Sequence, residues 1–140
     1  MITYLDTSAF LKLVLIDETG NEIVAELWEQ SRAVTCAQIG YVEARAAVAM
    51  ARRLGRITAA DQRNARPLLD GLWEQIDVIP VDDRVIAFAA DLAESDGLRG
   101  YDAVHLAAAL SATASVLASA DNALLDAARR HGLDTTNPLG

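Results

Sequence analysis

Short apolar runs recur along this chain, each followed by a longer stretch with helical periodicity, and that alternation restricts the fold more than any other feature. Residues 2–5, 33–36, 77–81 and 115–118 have the length and apolar character of strands, with 133–136 as a fifth. Between them the spacing predicts helices over 8–15, 22–30, 39–54, 59–74, 84–94, 101–113 and 122–131. Gly55 is placed to close the third helix and Thr58 to cap the fourth, where Pro67 is expected to introduce a kink. The helix over 101–113 is almost entirely apolar and must be buried. Strands alternating with helices pair in parallel, because each crossover passes over a face of the sheet. The expected fold class is α/β, a three-layer α/β/α domain with a central parallel sheet of four to five strands.

No repeat, low-complexity tract or linker divides the 140 residues, and the three prolines are scattered, so one domain over 1–140 is expected. A globule of that length buries ~70% of the surface of its unfolded chain and needs no staple. The single cysteine, Cys36, lies in an apolar run and reads as a buried structural thiol. No basic region precedes an apolar core near residue 1, and the alanine-rich stretch over 106–120 is too short and too weakly hydrophobic to span a bilayer. A cytoplasmic location away from membranes is the expectation.

Four acids carry the chemistry. Asp6 directly follows the first strand, and ligands of open parallel sheets bind beyond the carboxyl ends of their strands. An aspartate in that position also serves as a helix cap, so both readings stand. Asp121 follows the fourth strand with the same two readings. Glu43 shares a stripe with Ala47, Met50 and Leu54 at i, i+4, i+7 and i+11, which predicts a carboxylate on the core side of its helix. A buried carboxylate must be paired, protonated or bound to a metal. Arg45, Arg52 and Arg56 lie roughly opposite and are not placed to pair with it, which leaves a cation from another element or a metal ion. Asp102 opens the apolar helix on a face with Leu106, Ala109 and Thr113, where it either answers the helix dipole or meets the same metal.

Two strand-end acids and two core-facing helix acids would crowd carboxylates at one rim, an arrangement suited to a hard cation. Mg²⁺ takes oxygen ligands in an octahedron, keeps several waters and accepts one or two carboxylates directly, so four acids divide into inner and outer ligands. Such an ion stabilises charge on a scissile phosphate and lowers the pKa of an attacking water. Without it the cluster repels itself, and at least one carboxyl pKa is expected to be raised.

Other chemistries find no support. His105 and His131 are far apart and Cys36 has no companion, so zinc is not indicated. His105, one turn after Asp102, reads as an ordinary packed histidine, with a hydrogen-bonding role at the rim as the alternative. Phosphate loops of the G-x-x-x-x-G-K-[ST] and G-x-G-x-x-G kinds are absent, as is a G-x-S-x-G elbow. The net charge of −8 and pI near 4.6 oppose a nucleic-acid partner, although a bound divalent cation inverts the local potential. Lys12 is the only lysine among 12 basic residues, and guanidinium groups are the better forks for phosphate or carboxylate.

The segments Tyr4-Leu-Asp-Thr-Ser-Ala-Phe-Leu-Lys12, Leu98-Arg-Gly-Tyr-Asp-Ala-Val-His-Leu-Ala107 and Ser119-Ala-Asp-Asn-Ala-Leu-Leu125, with Glu43 between them, give the whole chain a resemblance to PIN domains, and within them to VapC-type toxins of bacterial toxin–antitoxin pairs. The resemblance implies a metal-dependent endoribonuclease, using Mg²⁺ or Mn²⁺, that cleaves structured RNA or RNA of the translation machinery. Asp6, Glu43, Asp102 and Asp121 match the family's acidic tetrad. By the same likeness Ser8 and Ser119 support the site through hydroxyl hydrogen bonds, and Arg99 lies near its mouth. Asn122 stands where relatives often carry a charged residue. A homodimer and a small antitoxin that blocks the site are also implied.

Two other enzyme classes place an aspartate after the first strand, and both fit poorly. A haloacid-dehalogenase-like phosphatase needs a second aspartate where Ser8 stands, and a receiver domain needs a lysine late in the sheet. A catalytically silent PIN-like interaction module remains, its acids serving structure or antitoxin docking, and the acidic pI favours it.

Overall fold

The strands β1 (Ile2–Leu5), β2 (Ala33–Ala37), β3 (Asp77–Ile79), β4 (Val116–Ala118) and β5 (Asp134–Thr136) form one parallel sheet in the order β3-β2-β1-β4-β5 in the computed structural model, which describes residues 1–15 and 17–140. Helices α1 (Thr7–Phe10), α2 (Asn21–Gln30), α3 (Ile39–Arg53) and α4 (Ala59–Glu74) cover one face. Helices α5 (Asp83–Asp96), α6 (Gly100–Ser111) and α7 (Asn122–Arg130) cover the other, completing the three-layer α/β/α arrangement with five strands.

Both faces of the central strands are buried, so β1, β2 and β4 are mostly apolar while the edge strands β3 and β5 carry exposed polar residues, and pleating sends successive side chains to opposite cores. Tyr4 and Leu117 pack with α5, α6 and α7, whereas Leu5 and Ala118 pack with α1 and α3. As its composition demands, α6 is buried over Ala103 and His105 to Ala109.

Element ends differ from the sequence pattern for local reasons. The first helix stops at Phe10 and tightens into a 3₁₀ turn, Leu11–Leu13, where Asn21 Nδ2 donates to the carbonyl of Lys12. Strand β3 ends at Ile79 because Pro80 has no N–H for the ladder. Helix α6 ends at Ser111, and Thr113 turns into the left-handed region at φ 53°. Pro67 lies inside α4 without ending it, on an exposed flank of the helix. Thr58 caps α4 in a reciprocal box with Asp61.

The topology places one crevice. From β1 the chain moves outward to β2 and β3, then returns across the sheet to β4 on the other side of β1. Such a reversal opens a gap at the carboxyl ends of the two central strands. Asp6 leaves β1 at that gap and Ser119 leaves β4 beside it, with the Asp6 amide donating to the Ala118 carbonyl at 3.2 Å.

Candidate active site

Asp6 is the buried centre of the rim, 6% exposed. Its Oδ1 accepts from the Ala9 amide at 3.0 Å, capping α1, and from the Ser8 hydroxyl at 2.7 Å. Its Oδ2 accepts from the Ser119 hydroxyl at 2.6 Å. A carboxylate has about four lone-pair directions, so capping and ligation do not exclude each other. The same hydroxyls stitch β1 to β4: Ser119 Oγ accepts from the Asp121 amide at 2.9 Å and Ser8 Oγ from the Ala120 amide at 2.9 Å.

Asp121 repeats this economy. Its Oδ1 accepts from the Ala123 and Leu124 amides at the start of α7, while its Oδ2 lies 3.5 Å from Arg99 Nη2. The Nε of Arg99 reaches Asp102 Oδ2 at 3.4 Å. One guanidinium, its side chain 82% exposed, thus spans two acids at the mouth without burying itself. Burial raises the Asp102 carboxyl above the usual carboxylate range; the charges of Asp121 and, more weakly, Asp6 add to this, and Arg99 opposes it. The rim carries more negative charge than it neutralises.

Glu43 arrives by a different route from the one the stripe predicts. Met50 and Leu54 are 48% and 67% exposed, and the buried face of α3 is Gly40, Ala44, Val48 and Ala51. The helix is rotated because Gly40 packs against Cys36: a Cβ there would lie 2.5 Å from Cys36 Sγ. Glu43 therefore stands on the border of the buried face, where its Oε1 accepts from the Thr7 hydroxyl at 2.8 Å and pairs with His105 Nε2 at 2.8 Å. The partner comes from another element and is an imidazole instead of an arginine. Burial pushes Glu43 up, but the hydrogen bonds from His105 and Thr7 together hold it below its ordinary value.

His105 is buried, as a packed histidine would be, yet both ring nitrogens are engaged, since Nδ1 meets Tyr4 Oη at 2.6 Å. Sequence reasoning passed over Tyr4 and Thr7. The available signal was a tyrosine in a strand covered on both faces, whose hydroxyl must find a partner. Burial, the largest influence, keeps that phenol protonated well above its ordinary range. Cys36 is buried and its thiol is pushed up by burial, as a structural thiol should be.

Three of the four acids are joined at the rim: the Ser119 hydroxyl is shared by the Asp6 carboxylate and the Asp121 amide, and Arg99 spans Asp121 and Asp102. Glu43 is held separately, by His105 one turn after Asp102 on α6 and by Thr7 next to Asp6 in sequence. Among the described residues no three His, Cys, Asp or Glu side chains already enclose a metal position. The donor set itself fits a hard divalent cation: carboxylate oxygens in excess of positive charge, with no thiolate or free imidazole nitrogen.

A family model described as PIN domain matches residues 3–130. Ribonuclease VapC45 of Mycobacterium tuberculosis is 36% identical over 110 residues, which covers 79% of this chain and 76% of that protein. Among solved structures, FitAcB from Neisseria gonorrhoeae aligns over 99% of both chains with a TM-score of 0.75 at 22% identity. VapBC2 from Rickettsia felis, bound to a DNA fragment from its promoter, aligns over 98% of both chains with a TM-score of 0.68 at 15% identity.

Proposed function

This chain belongs to the PIN domain family, and from that membership we propose that it is the endoribonuclease toxin of a toxin–antitoxin pair. It hydrolyses RNA phosphodiester bonds with a divalent cation, Mg²⁺ or Mn²⁺, held by Asp6, Glu43, Asp102 and Asp121. The observation that carries the reading is the linkage at the sheet reversal, where the Ser119 hydroxyl and the Arg99 guanidinium join Asp6, Asp121 and Asp102.

The cation, when bound, supplies charge neutralisation at the scissile phosphate and an acidified water. The protein's own work is positional. Ser8, Ser119 and the Ala9 amide fix Asp6, and the α7 amides fix Asp121, so that neither carboxylate must be ordered when substrate arrives. A carboxylate of the four that is not a direct ligand would orient the attacking water. Arg99, already at the mouth, offers its fork to a phosphate oxygen.

A second copy is assigned to the apolar groove beside Glu43, lined by Ile39, Val42, Val81, Ile86, Tyr101 and Val104. Val42, Ile86 and Tyr101 are 63%, 48% and 71% exposed, a grouping that marks an association surface. A small antitoxin covers the site. No described helix is long and apolar enough to cross a membrane, and the protein is assigned to the cytoplasm.

The excess of acid and the lack of a ready three-carboxylate enclosure among the described residues favour the silent module as a second reading. Cleavage of RNA by purified protein in Mg²⁺ or Mn²⁺, lost in EDTA, decides between the two. Asp6→Asn is expected to abolish cleavage while circular dichroism stays near wild type, because asparagine still caps a helix. Retained activity in that variant contradicts the assignment.

A further inference from the structure

We infer that Tyr4 and His105 are a positioning pair that fixes the Glu43 carboxylate for the cation, an inference that rests on the divalent-metal reading above. Glu43 lies on a helix flank, and a glutamate side chain there loses much of its rotamer freedom when fixed. Something rigid has to hold it. The chain of contacts begins in the sheet: the Ala37 amide, at the end of β2, donates to Tyr4 Oη at 3.0 Å. An ionised Glu43 can only accept, so His105 Nε2 carries the ring proton and donates it to Oε1 at 2.8 Å, and Nδ1 of the neutral ring then accepts the phenolic proton at 2.6 Å. In this tautomer every proton has an acceptor while Glu43 stays ionised. The edge-on Tyr4 ring, centroids 5.8 Å apart at 70°, fixes the imidazole plane.

Thr7 donates to the same Oε1, so the capacity of Oε2 is left for a ligand. Two rigid strand positions, Tyr4 and Ala37, thus aim a flexible acid through His105, which lies 62 residues from it in sequence. Partners that orient a ligand in this way are worth about 10–100-fold in metal affinity or activity.

The test is Mn²⁺ binding to the purified protein by calorimetry, beside RNA cleavage and thermal melting, for wild type, His105→Phe, His105→Gln and Tyr4→Phe. His105→Phe keeps an aromatic ring and removes the donor; it is expected to weaken Mn²⁺ binding about 10–100-fold and to lower kcat with little change in KM, the loss shrinking as Mn²⁺ is raised. His105→Gln, whose amide donates where Nε2–H did, is expected to regain most of the affinity. Tyr4→Phe is expected to weaken binding in the same direction and stands in if His105→Phe does not fold. A folded His105→Phe or Tyr4→Phe with wild-type Mn²⁺ affinity overturns the inference alone. A wild-type protein that binds no Mn²⁺ overturns the metal reading and the inference with it.

Discussion

Asp6 and Asp121 each divide one carboxylate between two tasks, giving an oxygen to the first turn of a helix and keeping the other toward the crevice. Asp102 has no such compensation. Its folded-state pKa is raised, so the native protein binds a proton more readily than the unfolded chain, and stability falls as pH rises through that window. At neutral pH the ionised Asp102 therefore works against folding of the metal-free protein. Asp102→Asn is expected to raise the melting temperature of that form, by up to about 1 kcal/mol of stability, while removing cleavage. A melt that falls instead would mean that the Arg99 contact outweighs the crowding.

At the scale of elements, Asp96 closes α5 against α7: its side chain is 7% exposed, with Arg130 at 3.0 Å and His131 at 2.9 Å. The His131 hydrogen bond, helped by Ser95 and Arg130, lowers its carboxyl to about 2. An unfolded aspartate takes its proton near pH ~4, so this stabilisation is complete above that value and lost as pH falls toward 2. Asp96→Asn is expected to cost about 1–2 kcal/mol at pH 7 and about half as much at pH 3, read from denaturant midpoints. The strands and helices were legible because the apolar runs and their periods are local properties. Asp6 and Asp121 were legible as strand-end acids for the same reason. The rotation of α3 was not, since Met50 and Leu54 look like core residues until Gly40 meets Cys36. The Glu43–His105 contact was equally hidden, because it spans 62 residues and depends on how two helices on opposite faces of the sheet reach over one edge.

For the molecule as a whole, the net charge of −8 conceals segregation. Arg45, Arg52, Arg53, Arg56, Arg63 and Arg66 all fall on α3, α4 and the link between them, and Asp61 is the only acid between residues 45 and 66. A polyanion therefore meets a surface far less acidic than the average suggests. The apolar groove beside Glu43 sets the expected assembly: Ile86→Arg is expected to convert a dimer to a monomer in light scattering, with the melt little changed. A dimer that persists would move the interface elsewhere. The strand order has a last consequence, in time instead of space. Since β4 sits next to β1 but is made more than a hundred residues later, a ribosome must read past residue 121 before Asp6 gains Ser119 beside it. Every shorter nascent product lacks one wall of the crevice, and the cell that makes the protein is spared its chemistry until synthesis is well advanced.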